Sequence, residues 1–274
     1  MELWTFTHFI ILVPAILIMC IITIFLNKCL KKYPIHIRLI PLYFISIIII
    51  ILEILKNLYS LITEGYSLSV LPFHFCSLFL FVLPAMCLCK DKYSDEIGCI
   101  ASTCCMSLVL FMLIYPNLIL SVNDFNNFFA MKDFYSCHTV LYHLFAMFAL
   151  VIIVGLKLHT PTKQRYFPLL CIFIIGFSII AAIVSNVLER NFSSFYRCNI
   201  PQIEEIRLEL EKSIGYVFTQ IVYATTTGLL HTAFFMIAYL AYLGLQYLVK
   251  KIFYKEEEEN KTEVFAFDYL DKTI

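Results

Sequence analysis

The sequence predicts an all-α, polytopic membrane protein of about seven transmembrane helices, with the N-terminus outside and the C-terminus inside. Three observations carry that prediction. Hydrophobic residues fill 61% of the 274 positions and charged residues only 15%, with a mean hydropathy of +0.85, which is more apolar surface than a water-soluble core of this size uses. Apolar runs long enough to cross hydrocarbon as helices recur along the chain. Lys and Arg concentrate in alternate connections between those runs.

The runs fall at 6–26, 37–62, 69–89, 97–116, 138–157, 168–188 and 215–247. The first reads as a retained helix, not a cleavable signal: no basic residues precede it, its apolar run is long, and its positive charges follow. In the second, Glu53, Lys56 and Asn57 lie at i, i+3 and i+4 and share one face, so the two charges can pair. The third holds Leu71-Pro72-Phe73-His74-Phe75-Cys76, with Pro72 suited to a first helical turn, where its missing N–H loses nothing. His74 then sits about one turn in, and Cys76 points to a different face.

Residues 117–137 are polar and aromatic without clear periodicity. The fifth run opens with Cys137-His138-Thr139-Val140-Leu141-Tyr142-His143, placing His138 at its entrance and Tyr142 one turn deeper on the same face. The sixth exits through Asn186, Glu189, Arg190 and Asn191. In the 189–214 connection, Ile203, Ile206 and Leu210 with charges between them suit a short amphipathic helix at the interface, a connector or a covering lid. The seventh carries Thr225-Thr226-Thr227-Gly228, which favours close helix packing, and His231 near mid-membrane as a secondary candidate. His8, His36 and His159 fall near helix ends, as interfacial residues do.

Orientation rests on the flanks. Lys28, Lys31, Lys32 and Arg38, then Lys90 and Lys92, then Lys157, Lys163 and Arg165, then Lys250, Lys251, Lys255, Lys261 and Lys272 fall on one side; Lys132, Arg190, Arg197, Arg207 and Lys212 fall on the other. The positive-inside rule puts the first group in the cytoplasm. Residues 1–249 read as one transmembrane helical domain, and 250–274 as a charged cytoplasmic tail in which Glu256-Glu257-Glu258-Glu259 is a solvated run.

No basic stripe points to nucleic acid. Most of the eleven cysteines lie inside expected helices, as small apolar residues. Cys87-Leu88-Cys89 and Cys104-Cys105 complete no zinc pattern, and no metal or other cofactor is expected. Cys137 and Cys198 both fall on the expected outside, where a bridge could form.

Placed on this topology, the polar intramembrane residues converge on the outer half. His74, His138, Glu53 and Tyr142 are the candidate catalytic residues, with Lys56, Asn57 and Asn186 as candidate substrate-binding residues. An imidazole held by Glu53 or Tyr142 can act as a general base or acid near neutral pH. The same groups could instead bind an ion or relay protons, or serve only as interhelical glue.

At Glu53 and Lys56, at Leu71-Pro72-Phe73-His74-Phe75-Cys76, at Tyr115-Pro116, at His138 and over Asn191 to Cys198, the chain resembles the YwaF-like integral membrane proteins of bacteria, which are similar to the eukaryotic transmembrane protein 164 family. The resemblance implies a multi-pass helical protein of the cell membrane whose partners are membrane lipids. The eukaryotic relative is regarded as a lipid acyltransferase that moves a polyunsaturated acyl chain between phospholipids. Its nucleophile is a cysteine immediately before the histidine that matches His74, and here that position is Phe73, which cannot be acylated. The expectation is therefore a lipid-modifying enzyme, by acyl transfer or acyl hydrolysis, with a histidine-containing outer-leaflet site. The alternative is a non-enzymatic transporter or a membrane protein that binds an ion or small ligand.

Overall fold

Every regular element that the computed structural model describes, over residues 4–89, 94–159 and 166–253, is helical. In chain order these are α1 (Phe6–Leu30), α2 (Ile35–Arg38), α3 (Ile40–Glu64), α4 (Phe79–Leu88), α5 (Ser94–Ile114), α6 (Pro116–Ile119), α7 (Val122–Ala130), α8 (Phe134–Gly155), α9 (Tyr166–Val187), α10 (Pro201–Ile214) and α11 (Tyr216–Phe253), with 3₁₀ turns at Leu68–Val70 and Phe75–Leu78. Among the described residues, six stretches are long and apolar enough to cross a membrane: α1, Ile35–Glu64, α5, α8, α9 and α11. The protein is thus a multi-pass membrane protein by helix length and composition. Lys90, Lys92, Lys163, Arg165 and the tail from residue 254, including Glu256–Glu259, lie outside the described residues.

The bundle is built around α5 and α8, which bury most of their surfaces, while α1, α3 and α9 leave most of theirs facing outward. α8 packs on α3, α5, α7 and α1, and α11 packs on α5 and α9. Isoleucines cover the outward faces of α1, α3 and α9, as a bilayer-facing surface requires.

The helix ends follow local chemistry. α3 stops at Gly65, whose φ of 65° closes the helix in the left-handed region, with the Tyr66 N–H returning 3.1 Å to the Ser60 carbonyl. Asp133 caps α8 by accepting the Ser136 N–H at 2.7 Å. That cap starts α8 at Phe134, so His138 lies one turn inside the helix and not at its entrance.

The third apolar run differs most from expectation. Residues 71–74 are non-helical, with the Phe73 N–H turning back to the Leu71 carbonyl at 2.9 Å, a 3₁₀ turn covers Phe75–Leu78, and only Phe79–Leu88 is α-helical. The proline responsible is Pro72. Its ring disfavours helical geometry at the preceding residue, and Leu71 sits at φ −59° and ψ 143°. The 117–137 connection also differs, since it contains α6 and α7. Ser121 and Asp124 form a reciprocal capping box, with Asp124 N–H to Ser121 Oγ at 3.1 Å and Ser121 N–H to Asp124 Oδ2 at 2.9 Å.

His8 and His159 are buried within the protein. The His8 Nδ1 accepts the Thr5 hydroxyl at 2.7 Å, so its Nε2–H donates to the Leu120 carbonyl at 2.7 Å and pins α1 to the α6–α7 corner. His159, in the α8–α9 connection, stacks nearly parallel to Tyr242. Its carbonyl accepts the Tyr242 hydroxyl at 2.9 Å and Gln246 Nε2 at 3.2 Å. Burial pushes its pKa down to about 4, so the ring is neutral at physiological pH.

Gly98 of α5 lies beneath that ring: a Cβ there would stand 2.7 Å from His159 Cδ2 and 3.2 Å from its Cβ. Gly98→Ala should therefore destabilise the protein by about 1–3 kcal/mol, and His159→Ala in the same chain should recover part of that. Thermal unfolding in detergent reads both, and an undisturbed midpoint in Gly98→Ala would show that the ring has room to move.

Candidate functional site

The site starts from one buried carboxylate. Glu53 is 4% exposed, and each of its two oxygens faces a different basic group. Lys56, one turn on along α3, places Nζ 2.6 Å from Oε1. From α8, His138 Nε2 stands 3.5 Å from Oε2. That is long for a hydrogen bond, and Nε2 has no closer partner. Asn57 Nδ2 donates to the Glu53 carbonyl at 2.8 Å, and Asn57 Oδ1 accepts the Tyr66 hydroxyl at 3.1 Å. The expected shared face of α3 is thus occupied as an ion pair with an amide beside it.

The depth of this group can be counted. Tyr59 stacks on Phe134 with centroids 4.6 Å apart, which marks the level where α8 begins. Glu53 is six residues below Tyr59, or about 9 Å at the helical rise. A carboxylate and an ammonium at that depth are expensive unless paired.

Tyr142 does not orient His138 by a hydrogen bond. Its ring stacks on the imidazole with centroids 5.3 Å apart, and its hydroxyl donates to the Cys76 carbonyl at 3.2 Å. That bond ties α8 to the 3₁₀ turn just after His74. α3 packs on both α4 and α8, so the broken third segment, α3 and α8 adjoin one another.

His74 is held from another direction. It stands at the N-cap of the 3₁₀ turn with φ −83° and ψ 149°, and its Nδ1 accepts the Ser193 backbone N–H at 3.2 Å. The neutral ring therefore carries its proton on Nε2. The Ser193 hydroxyl accepts the Phe75 N–H at 2.9 Å and donates to the Phe73 carbonyl at 3.3 Å. One serine thus engages three consecutive residues, Phe73 to Phe75, where the non-helical stretch enters the 3₁₀ turn.

Ser193 and Ser194 pay for this in backbone strain, with φ of 48° and 63°, a region that non-glycine residues seldom occupy. Phe192 and Phe195, at 1% and 0% exposure, hold the loop down. Phe192 meets the rings of Phe73 and His74 edge-on. Phe195 packs against Phe75 and His231.

Ser193 was not singled out in the sequence. A backbone amide that donates to a side chain 119 positions away leaves no residue pattern; the signal that pointed to this segment was the resemblance over Asn191 to Cys198, which did not single out Ser193. Asn186 does not join the group: its Nδ2 donates to Ala182 of its own helix at 2.8 Å, and its Oδ1 is buried without a partner. His231 Nδ1–H donates to the Thr227 carbonyl at 2.8 Å, with Phe75 stacked on its ring.

All eleven cysteines are free thiols, so the Cys137–Cys198 bridge is not made. The Cys198 N–H is held by Glu204 Oε2 at 2.8 Å at the start of α10, whereas Cys137 lies in the first turn of α8.

Chemically, Glu53 and His138 place a carboxylate 3.5 Å from an imidazole nitrogen, and His74 presents an Nε2–H donor. Such groups can move or stabilise a proton. Phe73, beside His74, supplies no nucleophile. Among the described residues no group of three or more His, Cys, Asp or Glu side chains is placed to hold a metal ion. No protein-family model, no curated protein and no solved structure matches the chain.

Proposed function

We propose that the chain is a seven-crossing protein of the cell membrane, N-terminus outside, whose Glu53, Lys56, His74, His138 and Tyr142 form an acid–base site in the outer leaflet that acts on membrane lipids. The third crossing is then the broken segment 67–88. What supports it is the pairing at its two ends. The Tyr43 hydroxyl, near the start of α3, donates to the Cys87 carbonyl at 2.6 Å, while the Cys76 carbonyl takes the Tyr142 hydroxyl near the Glu53 group. Seven crossings put Lys28, Lys31, Lys32, Arg38 and Lys157 on the side of Lys250 and Lys251.

The observation that carries the functional reading is the Glu53 carboxylate held between Lys56 and His138 about 9 Å below the membrane-side start of α8. Intramembrane ionisable groups mark functional sites by default. With no nucleophile at Phe73, the reading is acid–base activation of water or of a lipid hydroxyl, with His138 as base and the His74 Nε2–H as donor to a developing oxyanion.

The test is to reconstitute the protein with mixed phospholipids and follow products by mass spectrometry. Wild type should form lyso- or acyl-exchanged lipids, and His138→Ala and His74→Ala should each lose on the order of 10²-fold or more. Equal turnover in both variants and wild type removes the site assignment. The missing nucleophile favours a second reading, in which the same polar group binds an ion or small solute without chemistry. An ion-dependent rise in unfolding temperature that disappears in Glu53→Gln, with no lipid turnover in wild type, would select it.

A further inference from the structure

α10 packs Arg207, with its partners Glu204 and Glu211, against α11, while Glu209 and Lys212 stay exposed on its far side. Arg207 has a side chain only 9% exposed and donates to Glu204 at 2.8 Å and Glu211 at 3.0 Å. Its guanidinium lies 6.0 Å from the ring of Tyr223 on α11. The hydrogen bonds from Arg207 hold the Glu204 carboxyl below its usual range, so that face stays ionised and paired at neutral pH. The isoleucines look out: Ile206 is 68% exposed and Ile203 44%. At helical spacing these two and Leu210 share one arc, and Lys212 falls on the opposite arc.

The level of that arc follows from α11. Tyr242 and Gln246 meet His159 in the α8–α9 connection, which marks one membrane boundary. A hydrocarbon core takes about 20 helical residues, which brings the other boundary to Tyr223. Gly215 joins α10 to α11 at φ 82°, and the chain folds back so that Arg207 comes over Tyr223. The outward isoleucines therefore stand at the lipid boundary. They continue the bare apolar surface of α11 at Val217, Ile221 and Val222, which are 47–65% exposed.

We propose that α10 is an interfacial helix that lies in a zwitterionic phospholipid leaflet, with Ile203 and Ile206 among the upper acyl carbons and the Arg207 ion pairs against α11. The lipid class follows from charge. Glu204, Glu205, Glu209 and Glu211 outnumber Arg207 and Lys212 on α10, which opposes an anionic surface. Glu204 is also bonded to the Cys198 N–H, so α10 is tied to the end of the loop that carries Ser193 to His74. The proposal depends neither on lipid turnover nor on which leaflet is the outer one.

The chain contains one tryptophan, which makes the test direct. In a Trp4→Phe background, Ile206→Trp and, separately, Lys212→Trp are reconstituted as full-length protein in phosphatidylcholine liposomes, with brominated phosphatidylcholine or aqueous iodide as quencher. Ile206→Trp should lose about half its emission to brominated lipid and little to iodide, and Lys212→Trp should do the reverse. Quenching of Ile206→Trp by iodide alone overturns the proposal in favour of a solvated helix. Quenching by neither, together with a dimer or larger species in detergent, overturns it in favour of a second copy covering this face. Ile203→Trp serves if Ile206→Trp does not fold, with the same expected pattern.

Discussion

Glu53→Ala is expected to cost about 3 kcal/mol or more, because it leaves the Lys56 ammonium buried without its counter-charge. Lys56 has a side chain only 14% exposed, and no other carboxylate pairs with it among the described residues. The informative comparison is the double variant Glu53→Leu with Lys56→Met, which removes both charges and keeps the volume. Replacing a buried pair by apolar residues is often neutral for stability, so the double variant should unfold within about 1 kcal/mol of wild type while lacking the function of the site. Reversible unfolding in mixed micelles reads the first quantity, and ligand or lipid assays read the second. If Glu53→Leu alone is as stable as the double variant, Lys56 reaches water and the pair is not the cost it looks like.

Phe195→Ala should be comparably damaging, by about 3–5 kcal/mol for a fully buried phenylalanine. It removes the ring that packs on Phe75 and His231 and so releases the loop from the non-helical stretch beside it. The local consequence is specific. With the Ser193 N–H withdrawn, His74 Nδ1 loses its donor and the imidazole becomes free to exchange tautomers. In protein carrying ¹⁵N-labelled histidine, wild type should show one His74 tautomer with the proton on Nε2, and Phe195→Ala should show a mixture. A single unchanged His74 signal in a destabilised Phe195→Ala protein would mean that the loop is held by other residues.

The long helices were legible because hydrocarbon tolerates little else. A run such as 6–26 or 168–188 can satisfy its backbone only within itself, and α1 and α9 begin and end within a few residues of expectation. The Glu53–Lys56 pair was legible for the same reason that helices are: a spacing of three residues fixes a shared face. The third apolar run was misread because hydropathy does not register a proline's effect on its predecessor. Residues 71–74 are as apolar as a helix and are not one. The link from Ser193 to His74 was beyond reach for a different reason. It depends on a left-handed serine whose conformation is imposed by Phe192 and Phe195, and tertiary packing of that kind has no local signature. α10 was legible as amphipathic, but which of its faces would turn toward the protein was not.

The non-helical stretch at 71–74 has a consequence for how the protein is made. The Phe73 carbonyl, and the Phe75 N–H just after it, find their partner in Ser193, up to 120 positions later in the chain. As residues 67–88 leave the ribosome, that partner does not yet exist, and an open backbone donor or acceptor in hydrocarbon costs several kcal/mol. The segment should therefore wait at the insertion machinery, or be shielded by it, until α9 and the loop behind it have been synthesised. Biogenesis would then run out of chain order: α5 and α8 settle first, and the 67–88 segment is the last to be sealed. Truncation after residue 188 should leave it accessible to a membrane-impermeant thiol reagent at Cys76, whereas the full-length chain should protect it.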